Sequence, residues 1–529
     1  MKRSKTAAAA AVITALLMCG CTEIPRRSDN ALMAETGESG ETSEQVYYDE
    51  IPPTEYEIKR KNVRIKLNAE GGVFDGSVRT DGDYDGHGYI VLDEGMTLTH
   101  IADVASSQHY RVVIAAHSYD GAAVRLSAAG ESAGTYYIPA SDFMGYSLYA
   151  IDCLYLSSGP SLLNFEVISG SVSMDYILVE NSSEVSVSAY RTRSSSVSSN
   201  SSVSAIGAMK FLVNSYGKRV ITGQNVTIGT NAELETIYAE TGRWPAMRCG
   251  DLAYSSSFAP QDKAEDAVSE LNNAIEWGQR GGLVSFTWHW YSPAGGNADV
   301  YSGGTDYTLS SAVTEQEIAL LGQEEIDSLC ESGVISESCR ALIKDIDMIS
   351  AALIPFKQAS IPVIWQPLPD GEGNLYWWGG DAQNYKWLWQ LMFDRMNGYH
   401  GLNNLIWVWN GSSPDYYPGD DLCDIIGQSL YENSSAPFAG RFASLARMSD
   451  TDVKPLAITN CDKVPNPSHM RRDNAMWLWF AAGNGEYIIN SDGTLSEQYT
   501  SWQALHDAYN SEICVTLDEL PDFTEYAFE

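Results

Sequence analysis

The alternation of hydrophobic and polar positions changes character partway along the chain. Between residues 56 and 181, short runs with a period of two, such as 111–115, 123–126 and 174–179, are separated by Gly, Ser and Asp. Such alternation turns one face of each run to a core and the other to water, and the residues between the runs favour turns. The pattern predicts an antiparallel β-sandwich over residues 56–181.

The rhythm is different over residues 205–529. Continuous apolar runs alternate there with longer amphipathic stretches such as 264–280 and 337–358, which favours a parallel sheet connected by helices. Eight such runs predict the fold class α/β, a (β/α)8 TIM barrel preceded by an all-β sandwich, with its chemistry at the carboxyl ends of the strands. The runs are residues 220–226, 247–254, 282–290, 361–370, 404–410, 424–431, 454–460 and 475–483.

Two segments lack apolar periodicity. Residues 22–55 are rich in Glu, Ser, Thr and Pro, which predicts a disordered acidic tether. Residues 182–204 contain a run of serines, which predicts a flexible linker between the two domains. We expect neither segment to bury enough apolar surface to offset the entropy lost on ordering its backbone.

The first 21 residues have the features of an export signal. A positively charged start precedes an apolar run over residues 7–17 that is too short to span a bilayer. The run ends in Leu-Met-Cys-Gly-Cys, which resembles a bacterial lipoprotein cleavage box with Cys21 as the lipidated residue. Cleavage before Cys19 and a plain secretory signal are the alternatives. We therefore expect secretion through a signal peptide, with the membrane contacted by a lipid anchor alone on its extracellular face.

Composition narrows the range of partners. The 69 acidic residues outnumber 33 basic ones and give a net charge of -36, which would repel a polyanion and excludes nucleic acid as the main partner. A length of 529 residues exceeds the ~250 to 300 residues at which single cores stop growing, and so implies at least two domains. We expect the chain to act as a monomer.

The seven cysteines beyond residue 21 form no framework. Their number is odd, their spacing is irregular and no Cys-x-x-Cys unit occurs, which argues against both a disulfide scaffold and a zinc site. Cys330 and Cys339 are the only close pair, and a disulfide between them would suit an oxidising exterior. We expect most of the seven to be small buried hydrophobic residues.

All 14 tryptophans lie in the second domain, and many stand at predicted strand ends. Aromatic faces at the mouth of a barrel can stack against the apolar face of a pyranose ring. The alternative is core packing, and side-chain alternation leads us to expect only one tryptophan of each pair to face the barrel interior. The pairs are Trp288 with Trp290, Trp407 with Trp409, and Trp477 with Trp479.

Five motifs, in this order, resemble the β-mannanases of glycoside hydrolase family 26. They are Phe-Thr-Trp-His-Trp at 286–290, Trp-Trp-Gly at 377–379, Gly-Leu-Asn-Asn-Leu-Ile-Trp-Val-Trp-Asn at 401–410, Pro-Asp-Tyr-Tyr-Pro-Gly-Asp-Asp at 414–421 and Val-Thr-Leu-Asp-Glu-Leu-Pro at 515–521. The resemblance covers the whole barrel domain. It implies a retaining glycosidase without a cofactor in the barrel, in which a carboxylic acid on strand four protonates the leaving oxygen and a carboxylate on strand seven attacks the anomeric carbon.

Both catalytic positions implied by this resemblance are substituted. Asp370 stands where the family has its acid glutamate, and Asn460 stands where it has its nucleophile. A neutral amide cannot replace a carboxylate nucleophile, and a carboxyl displaced by ~1 Å can cost on the order of 100-fold in rate. The Arg, the His and the stacking Trp of the family's strand-four motif are also replaced. Rescue would require Glu372 or Asp462 to move into the site.

Other residues keep the character of a sugar site. His289 stands where the family places a His that contacts substrate, although a buried core histidine is the alternative. Asp251 ends strand two and either bonds a sugar hydroxyl or caps a loop. The substrate-contacting residues implied by the resemblance are Asp251, His289, Trp290, Trp377, Trp378, Trp407, Tyr431 and Trp479.

The sandwich domain resembles a carbohydrate-binding module of family 35. The resemblance implies a structural calcium ion that ties the chain ends together through acidic residues, here Glu70 and Asp175. The acidic loop at residues 81–86 imitates the start of an EF-hand, but its twelfth position is Leu92 instead of Glu, so we interpret it as a turn. The motifs are Asn-Ala-Glu-Gly-Gly at 68–72, Gly-Tyr-Ile at 88–90 and Ser-Met-Asp-Tyr-Ile at 173–177.

Three functions follow as hypotheses. The first is a surface lipoprotein that binds β-mannan or a related plant polysaccharide through both modules without efficient hydrolysis, and is therefore a pseudoenzyme. The second is an active endo-β-1,4-mannanase that uses Asp370 and a displaced carboxylate. The third is a scaffold that binds protein partners and no sugar. Loss of the carboxylate chemistry with retention of the aromatic residues favours the first.

Overall fold

The export signal with Cys21, the tether at residues 22–55 and the acidic loop at 81–86 lie outside the residues that the computed structural model describes. Within the described part, no helix combines the length and the hydropathy that a bilayer span requires. The described residues are 63–79, 88–142, 145–294, 297–449 and 453–529.

The first domain is all-β, as predicted, with antiparallel strands around one apolar core. Its strands are β1 (Arg64–Asn68), β2 (Val73–Phe74), β3 (Ser77–Arg79), β4 (Tyr89–Asp93), β5 (Thr97–Val104), β6 (Gln108–His117), β7 (Ala122–Ala128), β8 (Glu131–Ile138), β9 (Ser147–Leu156) and β10 (Gly159–Asn181). Strand β10 joins two sheets, because its first half pairs with β5 and β7 and its second half with β1, β4 and β6.

Gly170 lies where β10 passes from one sheet to the other. Its φ is 75°, and a Cβ at this position would lie 2.1 Å from the backbone oxygen of Gly121. Only glycine avoids both the left-handed strain and this clash, so the long strand can change sheets here.

The second domain is a closed parallel barrel, which confirms the predicted fold class. Each of the eight predicted runs contains one strand, and the first strand pairs with both the second and the eighth, closing the barrel. The strands are β11 (Val220–Asn225), β12 (Met247–Asp251), β13 (Leu283–Trp288), β14 (Val363–Pro367), β15 (Leu405–Asn410), β16 (Ile425–Leu430), β17 (Leu456–Cys461) and β18 (Trp479–Ala482), with β19 (Cys514–Val515) beside β11.

Helices cover the outside of the barrel. They are α1 (Val203–Ser215), α2 (Ala232–Thr241), α3 (Ala264–Gln279), α4 (Gln323–Glu331), α5 (Glu337–Gln358), α6 (Ala382–Asp394), α7 (Ala439–Leu445), α8 (Pro467–Arg472), α9 (Trp502–Tyr509) and α10 (Phe523–Tyr526). Helix α5 begins at the cap Ser336, whose hydroxyl accepts the backbone N–H of Cys339. Its buried face, which includes Ile343, Ile346 and Leu353, belongs to the core of the barrel domain.

Residues 182–204 differ from the flexible linker that we expected. The buried ring of Tyr190 packs on Phe442, and its hydroxyl donates to the backbone oxygen of Asn474 at 2.5 Å. The backbone N–H of Val197 donates to Asp424 Oδ1 at 2.7 Å. A few contacts, such as those of Tyr190 and Val197, therefore hold this segment on the barrel. The average composition of the segment does not predict these contacts.

The two domains also contact each other through buried polar groups. His109 of the sandwich lies 3.2 Å from Asp473 of the barrel, and both side chains are buried. The hydroxyl of Thr135 donates to Glu432 at 2.9 Å, and the hydroxyl of Ser434 donates to the backbone oxygen of Ser132, also at 2.9 Å. Glu432 is the residue after Tyr431, and Ser434 follows two positions later. The loop after the sixth barrel strand therefore links the sandwich to the mouth of the barrel.

The cysteines are reduced in this structure. All seven beyond residue 21 are free, so Cys330 and Cys339 do not form the disulfide considered above. Six of the seven are buried, as expected for small apolar residues.

Candidate functional site

The carboxyl ends of the barrel strands bring the polar candidates to one rim. Asp251 ends β12, Asp370 follows β14 by three residues, Asn410 ends β15, and Asn460 is the last residue but one of β17. Because all eight strands are parallel, these ends lie on the same face of the barrel.

Asp370 occupies a strained position in this rim. Its φ is 50°, in the left-handed region that non-glycine residues seldom adopt, and Leu368 two residues earlier has a φ of 54°. The backbone N–H of Asp370 donates to the backbone oxygen of Asn410 at 3.0 Å, and its Oδ1 lies 3.3 Å from Asn410 Nδ2. The bonds to Asn410 hold the turn after the fourth strand against the end of the fifth.

The environment of Asp370 favours its neutral form. Burial raises the pKa of this carboxyl and the negative charge of Glu372 raises it further, while His289 and a hydrogen bond from Ser429 lower it; the result is a pKa of about 7. A carboxyl group with this pKa is substantially protonated at neutral pH. It can therefore donate a proton or a hydrogen bond to an oxygen in the space between Asp370, His289, Tyr376 and Tyr431, which we call the cleft.

Asn410 connects Asp370 to the next strands. Its side-chain oxygen accepts the hydroxyl of Thr459 at 2.7 Å, and its side-chain nitrogen donates to Ser429 Oγ at 3.0 Å. The sequence analysis quoted Asn410 within a motif but assigned no role to it, and it did not consider Ser429 or Thr459. The signal available in the sequence was the polar residue at the end of each apolar strand.

Asn460 lies on strand seven beside a local irregularity. The pairing register between β16 and β17 shifts just before the pair formed by Ser429 and Asn460, and β17 shifts again relative to β18 between Ile458 and Cys461. Such irregularities redirect side chains and are common next to active sites. The side-chain oxygen of Asn460 is buried and has no hydrogen-bond partner among the described residues. Strand seven thus presents a neutral amide at the position that the resemblance implies for the nucleophile.

The two carboxylates considered for rescue are engaged elsewhere. Glu372 accepts the backbone N–H groups of Ser412 and Ser413 and the hydroxyl of Ser412. Asp462 is buried and accepts the backbone N–H of Asn433 at 2.7 Å. Each carboxylate therefore holds a loop next to the cleft, and among the described residues neither makes a hydrogen bond to Asp370 or Asn460.

His289 and Asp251 form a pair on the other side of the cleft. Nδ1 of His289 lies 2.6 Å from Asp251 Oδ2, while Oδ1 of Asp251 accepts the backbone N–H groups of His289 and Ala253. Burial alone lowers the pKa of His289, but the carboxyl groups of Asp251 and Asp370 raise it more, so the net shift is upward. Asp251 therefore caps the loop, which is one of the two alternatives from the sequence, and it also orients the imidazole of His289. Its bond to a sugar hydroxyl stays a prediction.

The predicted tryptophans Trp290, Trp377 and Trp378 lie below the rim with little open surface. Their exposed fractions are 0%, 4% and 0%, respectively. The indole N–H of Trp377 donates to the backbone oxygen of Trp290 at 2.7 Å, and that of Trp378 to the backbone oxygen of Pro369 at 3.1 Å. They form the floor that supports the cleft, because a layer of other side chains covers their faces.

Trp407 and Trp479 do not reach the rim. Trp407 packs against Trp389 and Phe393 of helix α6, with ring centroids 5.9 and 5.0 Å away, so it faces the helix layer. Trp479 is the first residue of β18, at the end of the strand opposite the rim, and is fully buried. The expectation for Trp407 and Trp409 was also wrong, since residues two apart share one face of a strand. Trp409 contacts Tyr417 while Val408 and Asn410 occupy the alternate positions.

Tyrosines provide the open aromatic surface. Tyr301 is 42% exposed and stacks on Tyr376, which in turn stacks on Trp378 at 4.5 Å with 9° between the planes. The ring of Tyr376 lies 5.6 Å from that of His289. Sequence reasoning missed Tyr301 and Tyr376 because it searched for tryptophan.

A second group of tyrosines surrounds the predicted residue Tyr431. Tyr431 follows β16 directly and is partly exposed, and its ring lies 6.0 Å from that of Tyr487. The rings of Tyr487 and Tyr499 are 4.5 Å apart. Asp370 raises the pKa of both Tyr376 and Tyr431, after the larger effect of burial, which places its carboxyl near both tyrosine groups.

In the sandwich, the two residues considered for calcium approach the same end of the domain. Asn68 of β1 pairs with Tyr176 of β10. Glu70 lies two residues after Asn68 and Asp175 one residue before Tyr176, so both residues are near this pair. The Oε2 atom of Glu70 is buried without a hydrogen-bond partner, as a cation ligand would be in the absence of its ion. Among the described residues, no group of three or more His, Cys, Asp or Glu side chains is arranged to hold a metal. Backbone oxygens would have to complete a calcium site here.

Together, a closed parallel barrel and a carboxyl group of raised pKa among aromatic side chains at its carboxyl rim are typical of (β/α)8 glycoside hydrolases. A sequence model of glycosyl hydrolase family 26 matches residues 197–508, and the chain belongs to that family.

Individual relatives agree with this assignment. A mannan endo-1,4-β-mannosidase of Thermothelomyces thermophilus is 32% identical over 327 residues, which cover 60% of this chain and 61% of that protein. Mannan endo-1,4-β-mannosidase B of a Piromyces species is 25% identical over 88% of this chain and 79% of its own length. The chain therefore spans about three fifths of the Thermothelomyces protein.

A solved structure extends the similarity to both domains. The Podospora anserina GH26-CBM35 β-(1,4)-mannanase covers 87% of this chain and 99% of its own, with a TM-score of 0.55 and 25% identity. A ruminal GH26 endo-β-1,4-mannanase has a TM-score of 0.59 at 20% identity, with 86% of this chain and 98% of its own covered, and shares the fold.

Proposed function

We propose that this chain is an exported carbohydrate-binding protein whose family 26 barrel binds β-mannan or a related plant polysaccharide without hydrolysing it through a covalent intermediate. The single observation that carries the proposal is Asn460, an amide at the position where the family resemblance implies the nucleophile. An uncharged amide cannot form the glycosyl ester on which a retaining mechanism depends. The names of the relatives supply the substrate class.

The surrounding geometry supports retention of binding. The stacked pair of Tyr301 and Tyr376 offers an open ring face to a pyranose, and the pair of His289 and Asp251 offers charged hydrogen-bonding groups to its hydroxyls. The two carboxylates considered for rescue are engaged by a neighbouring loop, Glu372 by two backbone N–H groups and Asp462 by that of Asn433. The site thus keeps groups that recognise a sugar and lacks the group that would attack it.

Affinity electrophoresis on galactomannan and glucomannan tests the binding. Replacement Tyr301→Ala removes the exposed ring and should weaken retardation by about tenfold or more, since base or sugar stacking on an aromatic face is worth ~1 to 3 kcal/mol. Tyr238→Ala is the matched control, because Tyr238 is 44% exposed and also stacks on another ring, that of Trp244, outside the cleft. No retardation of the wild-type chain on these or other plant polysaccharides would reject the proposal and favour a protein-binding scaffold.

One observation favours a second candidate, an active endo-β-1,4-mannanase. The pKa of about 7 at Asp370 suits a general acid, and half of the catalytic pair is thereby chemically competent. A reducing-sugar assay on β-mannan decides between the two candidates. Activity that disappears in Asp370→Ala would establish the enzyme and refute the pseudoenzyme.

The remaining features extend the proposal to the whole chain. The sandwich would act as a family 35-like carbohydrate-binding module, with Glu70 and Asp175 contributing to a structural calcium site. Cys21 would carry the lipid that holds the protein at the extracellular face of the membrane. Two linked sugar sites would raise avidity for a polymer without any additional contact.

A further inference from the structure

A large cavity lies on the flank of the barrel, away from the cleft. Its volume is about 810 Å³, and its walls are residues 197–200, residues 316–321 and the end of helix α6 with the turn that follows it. Asn403, which also lines it, precedes β15, so the cavity lies near the amino-terminal ends of the strands, opposite the rim that carries Asp370. A volume of this size is within the usual ~300 to 1,000 Å³ of small-ligand sites.

Buried bonds hold the walls of this flank cavity in place. Arg395 is fully buried, binds both carboxylate oxygens of Asp347 at 2.5 and 2.7 Å, and donates to the backbone oxygens of Ala319 and Leu321. The side-chain nitrogen of Asn403 donates to the backbone oxygen of Asn200 at 2.9 Å. The cavity is therefore formed before any ligand arrives, which reduces the entropy lost on binding.

The turn after helix α6 is an unusual feature of this wall. Residues Arg395–Tyr399 form a π-helix, a geometry that is rare and occurs frequently at functional sites. It presents Asn397 and Gly398 to the cavity.

Neutral polar residues make up much of the polar part of the wall. Ser199, Gln316 and Gln390 are among the residues that line the cavity. Hydroxyl and amide groups both donate and accept hydrogen bonds, which matches the hydroxyl groups of a sugar. The indole of Trp387 in the same wall provides a ring face.

The charges of the wall narrow the ligand class further. Among the described residues that line the cavity, Glu317 and Asp394 are acidic and none is basic. Phosphates, sulfates and carboxylates would thus meet repulsion without a compensating cation. We propose that the flank cavity is a second binding site for a neutral oligosaccharide, distinct from the cleft at the strand ends. This site is independent of the function proposed for the cleft.

Fluorine NMR on the full chain labelled with 5-fluorotryptophan tests this site directly. The resonance of Trp387 is identified by its loss in Trp387→Phe. We expect its chemical shift to change when mannopentaose, cellopentaose or xylopentaose is added. The change should reach a plateau at about 10 mM sugar, about tenfold above a Kd of about 1 mM. The resonance of Trp502, which is 39% exposed on helix α9, should remain in place.

A matched pair of variants separates occupation of the cavity from indirect effects. Gln390→Phe places a ring in the cavity and should weaken the Trp387 response by about tenfold or more. Gln503→Phe is its control, because each glutamine is exposed on a helix and bonds an aspartate four residues later at 2.8 Å. The proposal would be overturned if the chemical shift of Trp387 did not change with any of the three sugars, or if it changed equally in both variants.

A cleft variant distinguishes the two sites. In His289→Ala, binding at the cleft should weaken while the saturable shift of Trp387 persists. If the shift of Trp387 disappears together with cleft binding, the flank cavity is not a separate site. If the cleft binds nothing in the wild type and Trp387 still responds, the inference stands and the function proposed for the cleft fails.

Discussion

At the scale of single residues, the proposal of a barrel that binds without hydrolysing rests on two side chains. Asp370 keeps an acidic group, and its environment raises its pKa to about 7, which suits a proton donor. In the proposed pseudoenzyme, Asn460 leaves no negative charge at the position that the resemblance implies for the nucleophile. Because Asp370 already has the pKa of a proton donor, the proposal places the missing step at Asn460 and a loss of precise placement at Asp370.

The double replacement Asp370→Glu with Asn460→Glu should create mannanase activity. It supplies the missing nucleophile and extends the acid by one methylene, and correct placement of such groups is worth on the order of 100-fold or more in rate. Release of reducing ends from β-mannan measures the gain. The matched control is Asp370→Glu with Asn460→Gln, which has the same length but no charge. Equal activity in both double variants would contradict the argument.

The raised pKa of Asp370 also predicts a pH-dependent stability. Folding lifts this pKa from an ordinary value near 4 to about 7, so the folded state binds the proton more tightly and the unfolding free energy should fall as pH rises from about 4 to about 7. Asp370→Asn removes this term. The variant should equal the wild type below pH 4 and exceed it above pH 7, by at most about 4 kcal/mol. Urea titrations at several pH values give the comparison, and a constant difference across this range would contradict it.

At the scale of elements, the segment between the domains behaves as part of the barrel. Asp424 is buried at the start of β16 and accepts the backbone N–H groups of Val197 and Trp407 at 2.7 and 2.8 Å. Burial raises its pKa to about 6, against the lowering effect of these bonds. One carboxyl group thus joins the interdomain segment to the fifth strand.

Asp424→Ala should loosen this segment. Two buried N–H groups would lose their acceptor, at a cost of about 1 to 3 kcal/mol each. Urea unfolding should show the loss of stability, and limited proteolysis should cut residues 191–204 faster. Asp415→Ala, at an exposed loop position, should change neither measurement. Unchanged proteolysis in Asp424→Ala would show that other contacts hold the segment.

At the scale of the whole molecule, the sandwich and the mouth of the barrel are joined by the loop after β16. Tyr431 faces the cleft region, while Glu432 accepts hydrogen bonds from Thr135 of the sandwich and Arg441 of the barrel. The loop that supplies an aromatic ring to the cleft thus also contributes to the contact between the two domains, together with the pair of His109 and Asp473. A polysaccharide chain bound at the cleft would meet a sandwich held in a fixed direction.

In the proposed arrangement, the location of the whole protein depends on Cys21, which lies outside the described residues. Cys21→Ala should shift the protein from the membrane fraction to the medium, because the chain would lose its acyl anchor. Cys19→Ala keeps the favoured cleavage site and should remain membrane-bound. Fractionation with immunoblotting reads both variants. Release of the two variants alike, or of neither, would contradict anchoring at Cys21.

The sequence by itself determined the barrel and the all-β first domain. Eight apolar runs and their spacing specify a parallel barrel through local periodicity. The roles of Asp370 and Asn460 stay predictions from their places in family-like motifs. Tertiary structure alone decided which rings are open. The local sequence around Trp290, Trp378 and Trp407 is compatible with rings that stack on a sugar, yet neighbouring side chains bury all three. Tyr301 remains exposed.

The flank cavity and the ordered interdomain segment were likewise decided by packing. The walls of the cavity come together because Ser198 bonds Asn397 and Asn200 bonds Asn403, residues about 200 positions apart in the chain. The segment 182–204 is ordered because a few side chains such as Tyr190 find buried partners. Burial depends on contacts between residues far apart in the chain, and local composition does not predict those contacts.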